Sequence, residues 1–255
     1  MDTKGTKGTK GTTVALVNNK GGVGKTTVAI NLASWLAAKG YKILLIDLDS
    51  QASASLSLGF NRDSGGLTVA DILLNNKLIN DAVRNTKISN LDIIVSHRDI
   101  SMFDQQFSNA SDKNTKLKQQ ISKIINAYDY IFIDPPPSLS LLTINALTTA
   151  NKLIVPVTPD YLCLEGLSLL MNLIDPKEPY RILLSMADYR LRITEEVISF
   201  IRKQFKDKVF HTEIKQNVKL KEAPSYYQSI FEYDSNSAGA ECFGELGKEF
   251  IKWLD

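Results

Sequence analysis

Fifteen residues near the amino terminus, TVALVNNKGGVGKTT (13–27), constrain the fold more than any other part of the chain. Residues 13–17 are a short apolar run suited to a buried strand, and from residue 26 the pattern turns helical until Gly40 stops it. Between the two, Gly21, Gly22 and Gly24, with Val23 among them, let the backbone turn tightly and aim its N–H groups at an anion. Lys25 is placed to reach the β- and γ-phosphates of a nucleotide, and the hydroxyl of Thr26 to ligate Mg2+. Thr27 follows in a helix whose N-terminus favours negative charge. The stretch is a phosphate-binding loop with one departure. The usual G-x-x-x-x-G-K-[ST] spacing would put glycine at position 19, where this chain has Asn19 and then Lys20. Such a loop needs one lysine, so Lys20 is a second one to be explained.

A loop of this kind belongs at the end of a strand in an α/β sheet, and the rest of the chain agrees. Apolar runs at 42–47 (KILLID), 91–95, 130–134 (YIFID), 153–157 and 181–185 alternate with helix-length amphipathic segments. Runs without polar alternation are strands covered on both faces. The expected fold is α/β, a doubly wound, mostly parallel sheet with helices on both faces, as in P-loop NTPases. A chain of 255 residues suffices for one such domain, assigned to 13–255, after a flexible Lys/Gly/Thr tail at 1–12. Cys163 and Cys242 lie far apart with no CxxC pair, which excludes an iron–sulfur or zinc site of the usual spacing and fits a reducing, cytoplasmic setting. His97 and His211 are isolated and read as structural or exposed. No signal peptide or membrane-spanning run is visible. A formal net charge of +2 means that any nucleic-acid surface is local.

A phosphate site needs carboxylates to hold Mg2+ and orient water. Asp47 and Asp49 stand at the end of the second strand in IDLDSQ, and Asp134 ends YIFID before three prolines. Any one of them could simply cap the next turn. Three at strand ends, in a chain with a phosphate loop, point to the nucleotide.

The blocks KGGVGKTT, LLIDLDSQASAS, IFIDPPPSLSLLTINAL, LCLEGLSLL and NVKLKEAPSYYQSIFEYDSNSAGAE, in that order, closely resemble the ParA/Soj family of partition ATPases from about Thr13 onward. The resemblance implies a deviant-Walker ATPase that binds ATP/ADP and Mg2+ and forms an ATP-sandwich homodimer. It implies nonspecific binding of double-stranded DNA on the nucleoid, release when a ParB-like adaptor protein stimulates hydrolysis, and no membrane partner. Lys20 matches the family lysine that reaches the other subunit's phosphates, a charge supplied in trans much as an arginine finger is. Asp49 matches the residue that positions the attacking water, and Asp47 and Asp134 match the Mg2+ shell. Segments containing Met186, Asn217 and Pro224 resemble those that line the adenine.

Arg190 matches a family position that contacts DNA. Residues 181–221 hold ten basic against five acidic side chains, the strongest local excess, with Lys215, Lys219 and Lys221 among them. The chain departs from the family where relatives often read I-P-R-N, since here the arginine is replaced by Gln216. Lys215, Lys219 and Lys221 are expected to compensate. The cargo stays open, since the same ATPase core could segregate a plasmid or chromosome or position a protein cargo, and two further alternatives stay open. A membrane-cycling ATPase of the MinD type would use a basic amphipathic C-terminal helix, but residues 246–255 carry mixed charge and read as a helix docked on the core. A metallocluster carrier of the same superfamily would need the missing CxxC.

Overall fold

The computed structural model describes residues 11–61, 65–175 and 178–254. Eight strands are formed: β1 (Thr12–Leu16), β2 (Ile43–Asp47), β3 (Val83–Asn85), β4 (Leu91–Ile94), β5 (Tyr130–Asp134), β6 (Lys152–Val157), β7 (Tyr180–Ala187) and β8 (Ile214–Lys215). They make one sheet in the order β3-β4-β2-β5-β1-β6-β7-β8. Every neighbouring pair is parallel except β3 with β4. β1 is central, bonded to β5 on one side and β6 on the other. The chain therefore winds outward in both directions from β1, which opens a crevice at its carboxyl end.

The side chains of β1 explain the unbroken apolar runs. Val14 and Leu16 enter one buried cluster with the helix Lys25–Ala38 and the C-terminal helix Ala238–Leu254. Ala15 and Val17 enter a second cluster on the opposite face, covered by Val69–Asn75, Lys116–Ile121, Leu141–Thr149, Cys163–Met171 and Arg192–Phe205. A strand buried on both faces has no polar alternation to display.

The sheet begins at Thr12, which the sequence reading had placed in the tail. Its N–H donates to the Asp129 carbonyl at 3.1 Å, and it pairs with Tyr130. Residues 1–10 of the tail expected at 1–12 lie outside the described residues. Two edge strands were not expected. β3 has three half-exposed or exposed residues, and β8 is only two residues long, a buried Ile214 and an exposed Lys215, so neither leaves an apolar run to read.

The C-terminal helix docks on the core as expected and starts earlier, at Ala238. A Cβ at Gly247 would lie 2.2 Å from a ring carbon of Trp35, which is itself buried. Overpacking a filled core costs about 1–3 kcal/mol. Gly247→Ala is expected to fall at the upper end, because a rigid indole rather than a flexible chain end must yield. Urea denaturation with an unchanged m-value measures it, and a loss below about 0.5 kcal/mol would mean that the two helices slide apart freely.

Candidate nucleotide site

The phosphate loop leaves β1 at Leu16 and enters the first helix at Lys25. Gly22 and Gly24 have φ of +75° and +87°, a left-handed backbone that a side chain strains. The loop is pinned to β6 and β7. Asn18 Nδ2 donates to the Pro156 carbonyl of β6 at 2.7 Å, and Ser185 Oγ of β7 donates to the Val23 carbonyl at 2.6 Å. Ser185 sits inside an apolar run, which is why the sequence did not single it out.

The two lysines of the loop have different surroundings. Lys25 is buried, and its Nζ donates to the carbonyls of Asn18 at 3.1 Å and Lys20 at 3.4 Å. Burial lowers its pKa, opposed by the nearby charges of Asp134 and Asp49. Lys20 turns out of the loop to Asp160, which lies beyond β6, with Nζ 2.5 Å from Oδ2. Both side chains of that pair are partly exposed, at 36% and 41%. The second oxygen of Asp160 is buried without a partner among the described residues.

Asp47 and Asp134 end β2 and β5 side by side in register. Both are buried, and burial raises their pKa values to about 6 and about 7; the neighbouring Asp47 charge adds to the shift at Asp134. Their hydrogen bonds separate their roles. Asp47 is fully engaged: Oδ2 accepts from Ser55 N at 2.9 Å and Ser55 Oγ at 2.7 Å, and Oδ1 accepts from Asp49 N at 3.1 Å. Asp134 Oδ2 accepts from Thr26 Oγ1 at 2.6 Å, while its Oδ1 is buried with no partner among the described residues.

An orphaned carboxylate oxygen beside a threonine hydroxyl suits a divalent cation that takes its remaining ligands from phosphate and water. Among the described residues there is no group of three or more His, Cys, Asp or Glu that could hold a metal ion. Asp49 stands apart at the mouth. It lines an open cleft of about 360 Å³ with Gly21, Gly22, Gly24, Lys25, Thr26 and Thr27, and its Oδ1 accepts from Gln51 N at 2.9 Å.

Beside the loop, Gly24, Thr27, Val28, Met186, Asn217, Leu220 and Phe243 help to line a narrow, mostly apolar cavity. Met186 has φ of +56° at the irregular junction of β7 with β8. A non-glycine residue held there costs on the order of 1–3 kcal/mol. Asn217 Oδ1 caps the helix Val218–Glu222, accepting from Lys219 N at 2.8 Å. Pro224, expected in the same wall, instead lies in the turn Ala223–Tyr226 and is not among the residues lining the cavity.

A second, more open groove shares Lys215, Gln216 and Lys221 with this cavity. Arg190, Lys215 and Lys221 line it with Tyr189 and Val218. Lys219, expected with them, is not part of its lining; its Nζ pairs with Glu222 at 3.4 Å and lies over the Tyr233 ring at 5.4 Å. Among the described residues no helix is long and apolar enough to cross a membrane.

Residues 11–180 match a family profile described as an AAA domain. The chain is 38% identical over 244 residues to the sporulation initiation inhibitor protein Soj of Bacillus subtilis, covering 92% of this chain and 96% of that one. It is 40% identical over 247 residues to the chromosome-partitioning ATPase Soj of Treponema pallidum, covering 94% and 96%. A plasmid partition protein of Borrelia burgdorferi B31 bound to AMPPNP superposes with a TM-score of 0.83 at 26% identity, covering 95% and 99%. The phosphate loop, the strand-end aspartates and relatives matched over nearly their whole length lead to one conclusion: this chain is an ATPase that belongs to the ParA/Soj family of partition ATPases.

Proposed function

We propose that the chain hydrolyses ATP as a nucleotide-bound homodimer, holds nonspecific DNA in that state, and releases it when a ParB-like adaptor speeds hydrolysis. The observation that carries this reading is the separation of the two loop lysines. Lys25 folds over its own loop, whereas Lys20 points out of it, bridged to Asp160. Two exposed apolar side chains, Tyr161 and Leu162, directly follow Asp160. An outward cation on an apolar rim is what a second copy needs to bring its own phosphates alongside.

Within one subunit the loop N–H groups and Lys25 hold the phosphates, and the cavity of Met186 and Asn217 takes the base. Thr26 and the open oxygen of Asp134 would hold Mg2+, which would supply charge neutralisation at the phosphates, and Asp47 orients the loop that carries Asp49. From the mouth of the cleft Asp49 holds the attacking water. In trans, Lys20 stabilises charge that develops during transfer.

The groove of Arg190, Lys215 and Lys221 is the DNA surface in this reading. Binding of a random duplex is expected only with ATP and to weaken steeply with salt, losing about one unit of the log–log slope for each phosphate contact removed. Arg190→Ala is expected to lower both affinity and slope. Binding that ignores nucleotide, or attachment to anionic vesicles in place of DNA, would overturn the reading.

A further inference from the structure

The guanidinium of Arg190 is held on two sides. Its Nε donates to Asp188 Oδ1 at 2.8 Å and one terminal nitrogen, Nη2, to Asp188 Oδ2 at 2.6 Å, a two-pronged contact. The backbone N–H of Arg190 also donates to Asp188 Oδ1, at 3.1 Å. Nη2 makes a third side-chain contact, donating to Gln216 Oε1 at 3.2 Å. The arginine side chain is 81% exposed and the aspartate 22%, so a well-covered anchor holds an exposed head. Hydrogen bonding to Arg190 pulls the Asp188 pKa down to about 2, and the charge of Lys221 acts in the same direction. Among the described residues no partner is recorded for the other terminal nitrogen, Nη1.

We infer that Asp188 and Gln216 are positioning residues that fix Arg190 so that its Nη1 edge alone is presented to a DNA phosphate. The inference rests on the reading of this groove as a DNA surface. Five donors on a flexible stem usually leave an arginine free to turn, and immobilising such a side chain on binding costs affinity. Here that ordering is done in advance. The arrangement also gives the departure from the family a role. A second arginine at 216 would put like charge beside Arg190, whereas the oxygen of Gln216 accepts from it. The chain trades two cations for one that is aimed. Gln216 also lines the nucleotide cavity, so it lies between the base and the arginine.

The test is an anisotropy titration of a labelled random duplex by the full chain, with saturating ATP, across a salt series. Arg190→Ala removes a phosphate contact and lowers the log–log salt slope by about 0.9. Asp188→Ala is expected to keep the slope and weaken binding about five-fold, the effect of ordering one long side chain afresh. Gln216→Ala weakens it in the same direction by less. The double variant Asp188→Ala/Arg190→Ala binds no more weakly than Arg190→Ala alone. Asp188→Asn keeps one acceptor oxygen and falls between the wild type and Asp188→Ala, which serves as the measurement if alanine disturbs the turn. Unchanged or tighter binding by Asp188→Ala would mean that the carboxylate only quenches charge, and would overturn the inference. Additive losses in the double variant would overturn it as well. Unchanged affinity and slope for Arg190→Ala itself would overturn the DNA reading of the groove, a separate failure.

Discussion

Lys20→Ala is expected to lower ATP turnover by at least about 10³-fold while ATP still binds. A cation supplied across an interface to a phosphoryl-transfer site is worth about 10³–10⁵ in rate. The variant keeps Lys25 over its loop, with the carbonyls of Asn18 and Lys20 as acceptors, so the subunit's own phosphate cradle stays intact. Sedimentation with ATP is expected to find the variant mostly monomeric. A companion substitution isolates the direction in which Lys20 works. Asp160→Asn removes the carboxylate that holds Lys20 at 2.5 Å within its own subunit. A partly exposed ion pair is worth about 0–1 kcal/mol, so the freed lysine should tighten the ATP-dependent dimer by no more than about five-fold. Tightening by Asp160→Asn together with collapse by Lys20→Ala places the lysine's work between subunits. A Lys20→Ala protein that dimerises and hydrolyses normally would remove the basis for that placement, and Lys20 would be a surface lysine paired with Asp160 and nothing more.

The features that were legible in the sequence are those written in consecutive residues. Five residues with no polar alternation announce a strand buried on both faces, as for β1, β2 and β5. Three glycines and a lysine in five residues, 21–25, announce the phosphate loop. The less legible ones depend on partners far away in the chain or on backbone geometry. Asp160 is 140 residues from Lys20 in a turn-like VTPD stretch, and nothing local reveals that it meets the loop. Ser185 looks like an ordinary strand residue until its hydroxyl is found on Val23. Met186 was named from family resemblance, but its left-handed backbone has no sequence signature, since left-handed residues are expected to be glycine or asparagine. Lys219 and Lys221 read as one basic patch, yet residues two apart on a helix face different ways, and only Lys221 lines the groove. The aspartates were legible as a set and not as individuals. Whether a strand-end carboxylate is a scaffold or a ligand depends on how many of its oxygens are already taken.

That difference sets the expectation for Asp49→Ala, in which hydrolysis slows by about 10²–10⁴-fold, the usual worth of a positioned general base or water-orienting group. ATP affinity should stay within a few-fold. The carboxylate sits at the mouth of the cleft, whereas the phosphates are held by the loop and Lys25. Binding without turnover stabilises the nucleotide-bound state by mass action, so the variant should accumulate as an ATP-bound dimer and stay on DNA. The neighbouring carboxylates predict a different phenotype. Asp47 accepts three hydrogen bonds that shape the segment from Asp49 to Ser55, so replacing it with alanine should disturb the fold of that loop before it disturbs chemistry. Asp134→Ala removes the partner of the Thr26 hydroxyl and should raise the Mg2+ concentration needed for turnover. A binding isotherm for an ATP analogue on Asp49→Ala, read beside single-turnover hydrolysis, separates these cases. If the isotherm weakens in step with the rate, Asp49 holds the nucleotide, and the water must be oriented by another group at the cleft mouth. If the rate alone falls, the two aspartates at the carboxyl end of β2 divide the labour: Asp47 keeps the loop in place, and Asp49, two residues further on, holds the water.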